Sequence, residues 1–444
     1  MGAGRTFGRR GALLLPIAAL GGCSLFDNLF SATKTPLPGR REGVMIANRG
    51  LQVASGTPPP VTLPQTVTVE TWPQAGGNPT HLVGRIAGPA RLTQAWRVGI
   101  GEGGGYRKQI TCDPVVAQGH VFTMDSDGLV SAFDIRSGAR AWDFDTQPPK
   151  NRSSNIGGGL GFDGGVLYAS TGRAELLALA AADGKLKWRQ DLGGPARSAP
   201  TIAEGRVYLT TIGQQLLAFA VEDGKRIWSF QGSVTDTTVL GAPAPAFADG
   251  LVVVGFGSGD IAAVRAATGG VAWTDSIASA AGRTSLADLS AITGMVVIAG
   301  QRVYAIGLGG LLVAIDLRAG RRLWEHEVAG SQTPWVAGDW IFLLTVDQQV
   351  AAVSALDGTV SWVAELPRYE NAEKQQDPMQ WKGPVLLGEH LILVGTNGKA
   401  RMVSPYTGET QGLLDLPGPA PLAPVVAGGT MYVVTDDGSL TAFR

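Results

Sequence analysis

The sequence predicts an all-β chain folded as an eight-bladed β-propeller of four-stranded antiparallel blades. Three observations predict it. A motif recurs at a period of 38 to 51 residues. Each period reads as a set of short hairpin-linked strands. A lone strand upstream of the first repeat supplies what the last repeat lacks.

The motif is an alanine followed six residues later by glycine and ten residues later by tryptophan. Six alanines head a full copy: Ala132, Ala178, Ala218, Ala263, Ala314 and Ala352. Their glycines are Gly138, Gly184, Gly224, Gly269, Gly320 and Gly358, and their tryptophans Trp142, Trp188, Trp228, Trp273, Trp324 and Trp362. A seventh copy, 402–412, keeps Gly408 but has Gly412 in the tryptophan position, and an eighth starts at Ala442, close to Arg444. A near-constant period of this size marks a propeller or a solenoid.

The interior of the repeat favours the propeller. In GRVYLTTIGQQLLAFAVEDGKRIW (205–228), VYLTT and LLAFAV are β-rich runs joined through Gly213, and DGK turns the chain into RIW. SAPTIA (198–203) adds a short strand led by Pro200, where a missing N–H removes no ladder bond. Pro114, Pro245, Pro334, Pro384 and Pro424 lead similar strands. Four hairpin-linked strands per repeat make a propeller blade. The glycine suits a turn needing positive φ. The alanine is expected to be small because blades crowd toward the axis, and the tryptophan to fill the space between sheets. The last repeat, 428–444, lacks its tryptophan strand, and LTQAWRV (92–98) with Trp96 is unattached. Pairing the two closes the ring and removes an exposed edge. Residues 91–444 are therefore assigned to the propeller.

The N-terminus carries Arg5, Arg9 and Arg10, no acid, and then a short apolar run ending in LGGC at 20–23. That run is too short to span a bilayer and reads as a signal peptide over 1–22, exported by the general or the twin-arginine route. The end of the run resembles a lipobox, with Cys23 as the lipidated residue. Ser24 beside it, by the sorting rule of Gram-negative lipoproteins, points to the outer membrane. Residues 23–90, rich in Pro, Ser, Thr and Gly, read as a tether with one short strand at 42–47.

Removing 1–22 takes three of the 36 basic residues and none of the 37 acidic ones, leaving 33 against 37. With no basic run, nucleic acid is not the expected partner. The chain has two cysteines, Cys23 and Cys112. Lipidation of Cys23 leaves Cys112 without a disulfide partner in the chain, and packing is its expected role. Two matches to G-x-G-x-x-G, at 99–104 and 159–164, open no helix and so offer no pyrophosphate site. The twelfth position from Asp125 is Arg136 rather than glutamate, which excludes an EF-hand. His81, His120, His326 and His390 lack metal-ligand spacing. No catalytic, cofactor or metal residues are assigned.

The repeat resembles the PQQ-type propeller motif A-x-D-x-x-x-G-x-x-x-W, which Ala132–Trp142 and Ala314–Trp324 match in full. Two families share it: quinoprotein dehydrogenases and the BamB family of outer-membrane lipoproteins. The lipobox, the blade count, WPQAGGNPTH (72–81) and GRTSLADLSAITGMVVIAGQRVYAI (282–306) resemble the BamB family. That resemblance implies a non-enzymatic, periplasm-facing scaffold of the β-barrel assembly machinery. Its implied partners are the POTRA domains of BamA, the rest of that complex, and unfolded outer-membrane proteins. It places the partner surface on connections 233–243 and 276–293, with Val239, Leu240, Arg283, Leu286, Asp288 and Leu289 as candidate contacts. The arginine of the family's Leu-x-Leu-Arg segment is not kept near Leu240, and Leu289-Ser290-Ala291-Ile292 stands where the family has acidic residues. Ordinary surface loops are the competing reading of both stretches. The competing functions are a periplasmic dehydrogenase holding PQQ and a propeller that binds a small molecule.

Overall fold

Eight four-stranded antiparallel sheets follow one another along the chain of the computed structural model, which describes residues 1–2, 50–89, 91–105, 108–147, 155–235, 243–278 and 290–444. Blades 1 to 7 span 115–145, 158–191, 201–231, 246–276, 297–327, 335–365 and 381–415. Blade 8 takes three strands from 425–443 and its fourth from Gln94–Gly99, with Trp96 in register with Ala442. The ring is closed as the sequence predicts. The first strands of successive blades abut one another, so they form the inner wall. In blades 1 and 2 the second and third strands are largely buried, and the fourth strands carry exposed and half-buried residues at the rim. Residues 3–22 of the predicted signal peptide, Cys23 and the strand at 42–47 lie outside the described residues.

The register explains the motif. Phe122, Ala132 and Trp142 stand side by side across three strands, as do Tyr168, Ala178, Trp188 and Tyr208, Ala218, Trp228. The alanine is the low point between two rings. It lets them meet over it at centroid separations of 5.8–6.3 Å in six blades. Such pairs add about 0.5–1.5 kcal/mol beyond the area they bury. This corrects the expected reason for the alanine: it sits on the third strand, away from the innermost one, and its size serves the cross-strand aromatic pair. The aromatic lies ten residues before the alanine, a spacing the sequence reading did not use.

The tryptophan also ties each blade to the next. Seven indole N–H groups donate to the main-chain carbonyl three residues after the next blade's alanine position, at 2.7–3.3 Å. Trp96 to Ile135 joins blade 8 to blade 1, and Trp362 to Pro405 joins blade 6 to blade 7. The motif glycine closes that same turn at φ of 67–81°. A Cβ there would stand 2.5–3.0 Å from the preceding blade's indole, so glycine is needed for both conformation and space. Blade 7 carries Trp381 on its first strand but has no tryptophan at the motif position. There Met402 faces Gly412, exchanging the large and small members of the pair.

These contacts rank the tryptophans. Trp273 is buried, whereas Trp324, also a motif residue, is only half-buried. Trp273→Ala is expected to cost about 3–5 kcal/mol and Trp324→Ala clearly less. Denaturant melts of the two variants measure the difference, and equal losses would contradict this packing.

Residues 50–67, within the segment read as a tether, pack on the propeller. Gly50 N–H donates to Glu327 and Ala54 N–H to Val360, on the fourth strands of blades 5 and 6. Leu51 is buried in the cluster between those blades, and Val61 joins the cluster of blades 6 and 7.

Candidate functional site: the strap, the central cavity and the loops beside it

From Val69 to Ile86 the chain turns along the inner wall and reaches all eight blades in ring order. Gly428 of blade 8 donates to the Val69 carbonyl. Trp72 and Val116 of blade 1 exchange two backbone bonds of 2.8 and 2.9 Å. Phe162 of blade 2 donates to the Pro73 carbonyl and Ile202 of blade 3 to the Gln74 side chain. Phe247 of blade 4 donates to Pro79, Ile298 of blade 5 to Thr80, and the Trp335 indole of blade 6 to Gly84. Ile86 then bridges Leu386 and Gly388 of blade 7. Inner strands of a propeller have a free edge, and this strap supplies acceptors to their N–H groups one blade at a time.

The strap is held in shape by its own turn. Asn78 accepts from Thr80 N–H and Oγ1 and donates to the Leu82 carbonyl. His81 takes φ of 60°, and its buried Nδ1 lies 2.7 Å from the Val296 carbonyl. A carbonyl accepts, so Nδ1 carries the proton and Nε2 is left as an acceptor without a partner. Burial pushes the His81 imidazole down to about 4, so it is neutral at pH 7. A Cβ on Gly76 would meet that ring at 2.6 Å. Trp72 is buried at the other end of the turn.

Above the strap lies a central cavity of about 670 Å³. Trp72, Ala75, Gly76 and His81 line it from the strap side, and Pro334, Pro384 and Pro424 are among its wall residues. Lys108 and Asp113 just before blade 1, Arg197 just before blade 3, Lys382 on blade 7 and Asp436 on blade 8 place charges in the lining. Asp113 is deep in the molecule but faces the cavity, and burial pushes its carboxyl up to about 6. Cys112 is buried among blade 1 and 2 side chains, which pushes its thiol up and fits the packing role.

The candidate contacts Val239, Leu240, Arg283, Leu286, Asp288 and Leu289 lie outside the described residues. What flanks them is described. Pro243, Ala244, Thr293, Gly294 and Met295 line the cavity, so both connections arise beside its wall. Val234 is 81% exposed, whereas Ala291 and Ile292 are buried, with Ile292 donating to Phe256 of blade 4. The second connection thus ends in the core between blades 4 and 5. The sequence reading missed the strap and the cavity charges. The run WPQAGGNPTH held the strap's clue, two prolines and two glycines in a segment outside any blade.

The sequence profile of a family described as outer membrane protein assembly factor BamB matches residues 93–157, 126–364 and 347–444. This chain belongs to the BamB family. The BamB of Yersinia pestis is 28% identical over 360 residues, covering 79% of this chain and 88% of the relative. That of Escherichia coli K12 is 27% identical over 357 residues, covering 78% and 88%. The crystal structure of BamB from Moraxella catarrhalis superposes with a TM-score of 0.68 at 20% identity, over 80% of this chain and all of that one (100%). A quinohemoprotein alcohol dehydrogenase from Comamonas testosteroni gives 0.63 at 16% identity, over 84% and 80%. At these identities both likenesses are of fold alone. A calcium–quinone centre draws on converging ligands, and the residues here do not fit one. Among the described residues no three His, Cys, Asp or Glu side chains converge, and the cavity charges are spread over four blades.

Proposed function

We propose that this chain is a non-enzymatic assembly factor for outer-membrane β-barrel proteins, anchored by lipid at Cys23 and facing the periplasm. The observation that carries the reading is the BamB profile running through the propeller from residue 93 to 444. The relatives are named as assembly factors, and the chain covers 88% of their length. The proposed mechanism is positional. A closed ring stitched blade to blade is a rigid mount for loops, and sites on rigid scaffolds present their contacts at low ordering cost. Connections 233–243 and 276–293 are the proposed contacts for the POTRA domains of BamA. Leu240, Leu286 and Leu289 would form the apolar centre, with Val239 beside them and Arg283 and Asp288 as the charged rim. The rest of the assembly complex and unfolded barrel proteins are the further proposed partners.

The test is a pull-down from detergent-solubilised membranes with a melting curve on the same sample. Leu240→Ala combined with Leu289→Asp is expected to abolish co-purification of BamA and leave the melting temperature within about 2 °C, since surface changes stay within roughly 0.5 kcal/mol. Retained BamA would remove these loops from the interface.

A further inference from the structure

We propose that the central cavity binds a small organic anion with an apolar body. This is independent of the assembly role. The strap lies across the inner wall and gives the cavity a floor, so a ligand entering from the loop side meets an end. Proline side chains and Met295, Leu308 and Leu422 make much of the wall apolar. A concave, largely apolar site with a few placed polar groups is the usual form of a small-molecule site.

The sign of the ligand follows from two cations. Arg197 has one nitrogen committed, Nη1 to the Ile156 carbonyl at 3.0 Å, while Nε is buried without a partner. Among the described residues it forms no ion pair, and burial pushes its pKa down. A guanidinium does not escape this by losing its proton. Lys382, on the first strand of blade 7, is half-buried and forms no ion pair among the described residues; burial pushes its ammonium pKa down, and Asp436 is the acid whose charge it feels. The third cation of the lining, Lys108, is already neutralised by Asp127 at 3.0 Å and Glu102 at 3.5 Å. Charges shielded from water are costly unless paired. Arg197 sits on the connection into blade 3, its N–H donating to the Thr210 carbonyl, and Lys382 on the first strand of blade 7, so the two cations line one cavity from blades far apart in the ring. Asp113 stands just before blade 1 and Asp436 on the neighbouring blade 8. An anion lying across the cavity satisfies both cations, and its apolar body covers the wall between them.

The probe is 8-anilinonaphthalene-1-sulfonate, an aromatic anion, compared with the neutral N-phenyl-1-naphthylamine, which shares its rings. Fluorescence titration of the mature chain is expected to show one saturable site for the sulfonate. Lys382→Met and Arg197→Met are each expected to weaken it by about tenfold or more, as loss of a charge-assisted bond does. The neutral amine should change less than about twofold in both variants, and Lys382→Arg should keep sulfonate binding. Should Lys382→Met fail to fold, Arg197→Met carries the comparison alone. Absence of a saturable site, sulfonate binding unchanged in the variants, or equal loss of both dyes would each overturn the proposal.

Discussion

Ending the chain at Ala427 is expected to leave protein that is insoluble or degraded under conditions where the full chain is folded. The deletion removes Thr430–Thr435 and Ser439–Phe443, the two central strands of blade 8. Gln94–Gly99 then loses its only strand partner among the described residues, and the Trp96 bond that joins blade 8 to blade 1 loses its support. Met431, Val433, Leu440 and Ala442 are fully buried, and Tyr432 and Phe443 nearly so. Deleting one large buried side chain costs about 2–5 kcal/mol. Removing several therefore exceeds the roughly 5–15 kcal/mol by which a domain is stable. Limited proteolysis and a melting curve check this. A truncated protein with an unchanged melt would show that the ring does not need this closure.

Much of the fold was legible because the repeat is built from local spacings. Ala132, Gly138 and Trp142 all belong to one hairpin, so their relation survives in the linear sequence. Trp96 was assignable to blade 8 because it was the tryptophan strand without a repeat. The reason for the alanine was not legible, since it depends on Phe122 and Trp142 meeting over Ala132, a relation across three strands. The cavity charges were hidden for a different reason. Asp113, Arg197, Lys382 and Asp436 stand on or just before four blades and have no common spacing. The strap has no periodicity at all, because it pairs with each blade through one or two bonds and forms no ladder. Its composition of Pro, Gly, Asn and Thr reads as a loop, although its hydrogen bonds are as regular as the ring they follow.

Replacing residues 72–81 with a glycine–serine stretch of equal length is therefore expected to destabilise the whole ring, where an ordinary loop exchange would do little. The exchange removes buried Trp72, worth about 3–5 kcal/mol. It also removes the Gln74 side-chain acceptor for Ile202 on blade 3, and the Asn78 and His81 contacts that hold the Pro79 and Thr80 carbonyls against Phe247 and Ile298 on blades 4 and 5. Each buried N–H left without a partner costs about 1–3 kcal/mol. A gentler version uses pH. His81 is held neutral, at about 4 against an ordinary 6.5. The unfolded chain takes up a proton there below about pH 6.5 and the folded chain does so only near pH 4. Stability from this group is thus full above that window and falls through it, by about 3 kcal/mol in total. Asp113, raised from 3.8 to about 6, acts with the opposite sign over much the same range, so the wild-type curve alone is nearly mute. His81→Asn separates them. Asparagine accepts the positive φ better than most residues, can donate to the Val296 carbonyl, and does not titrate. Between pH 6.5 and 4 the wild type is expected to lose about 3 kcal/mol more than His81→Asn in denaturant melts. Parallel pH profiles for the two proteins would mean that the strap lets His81 take its proton, and hence that it does not hold the inner wall shut.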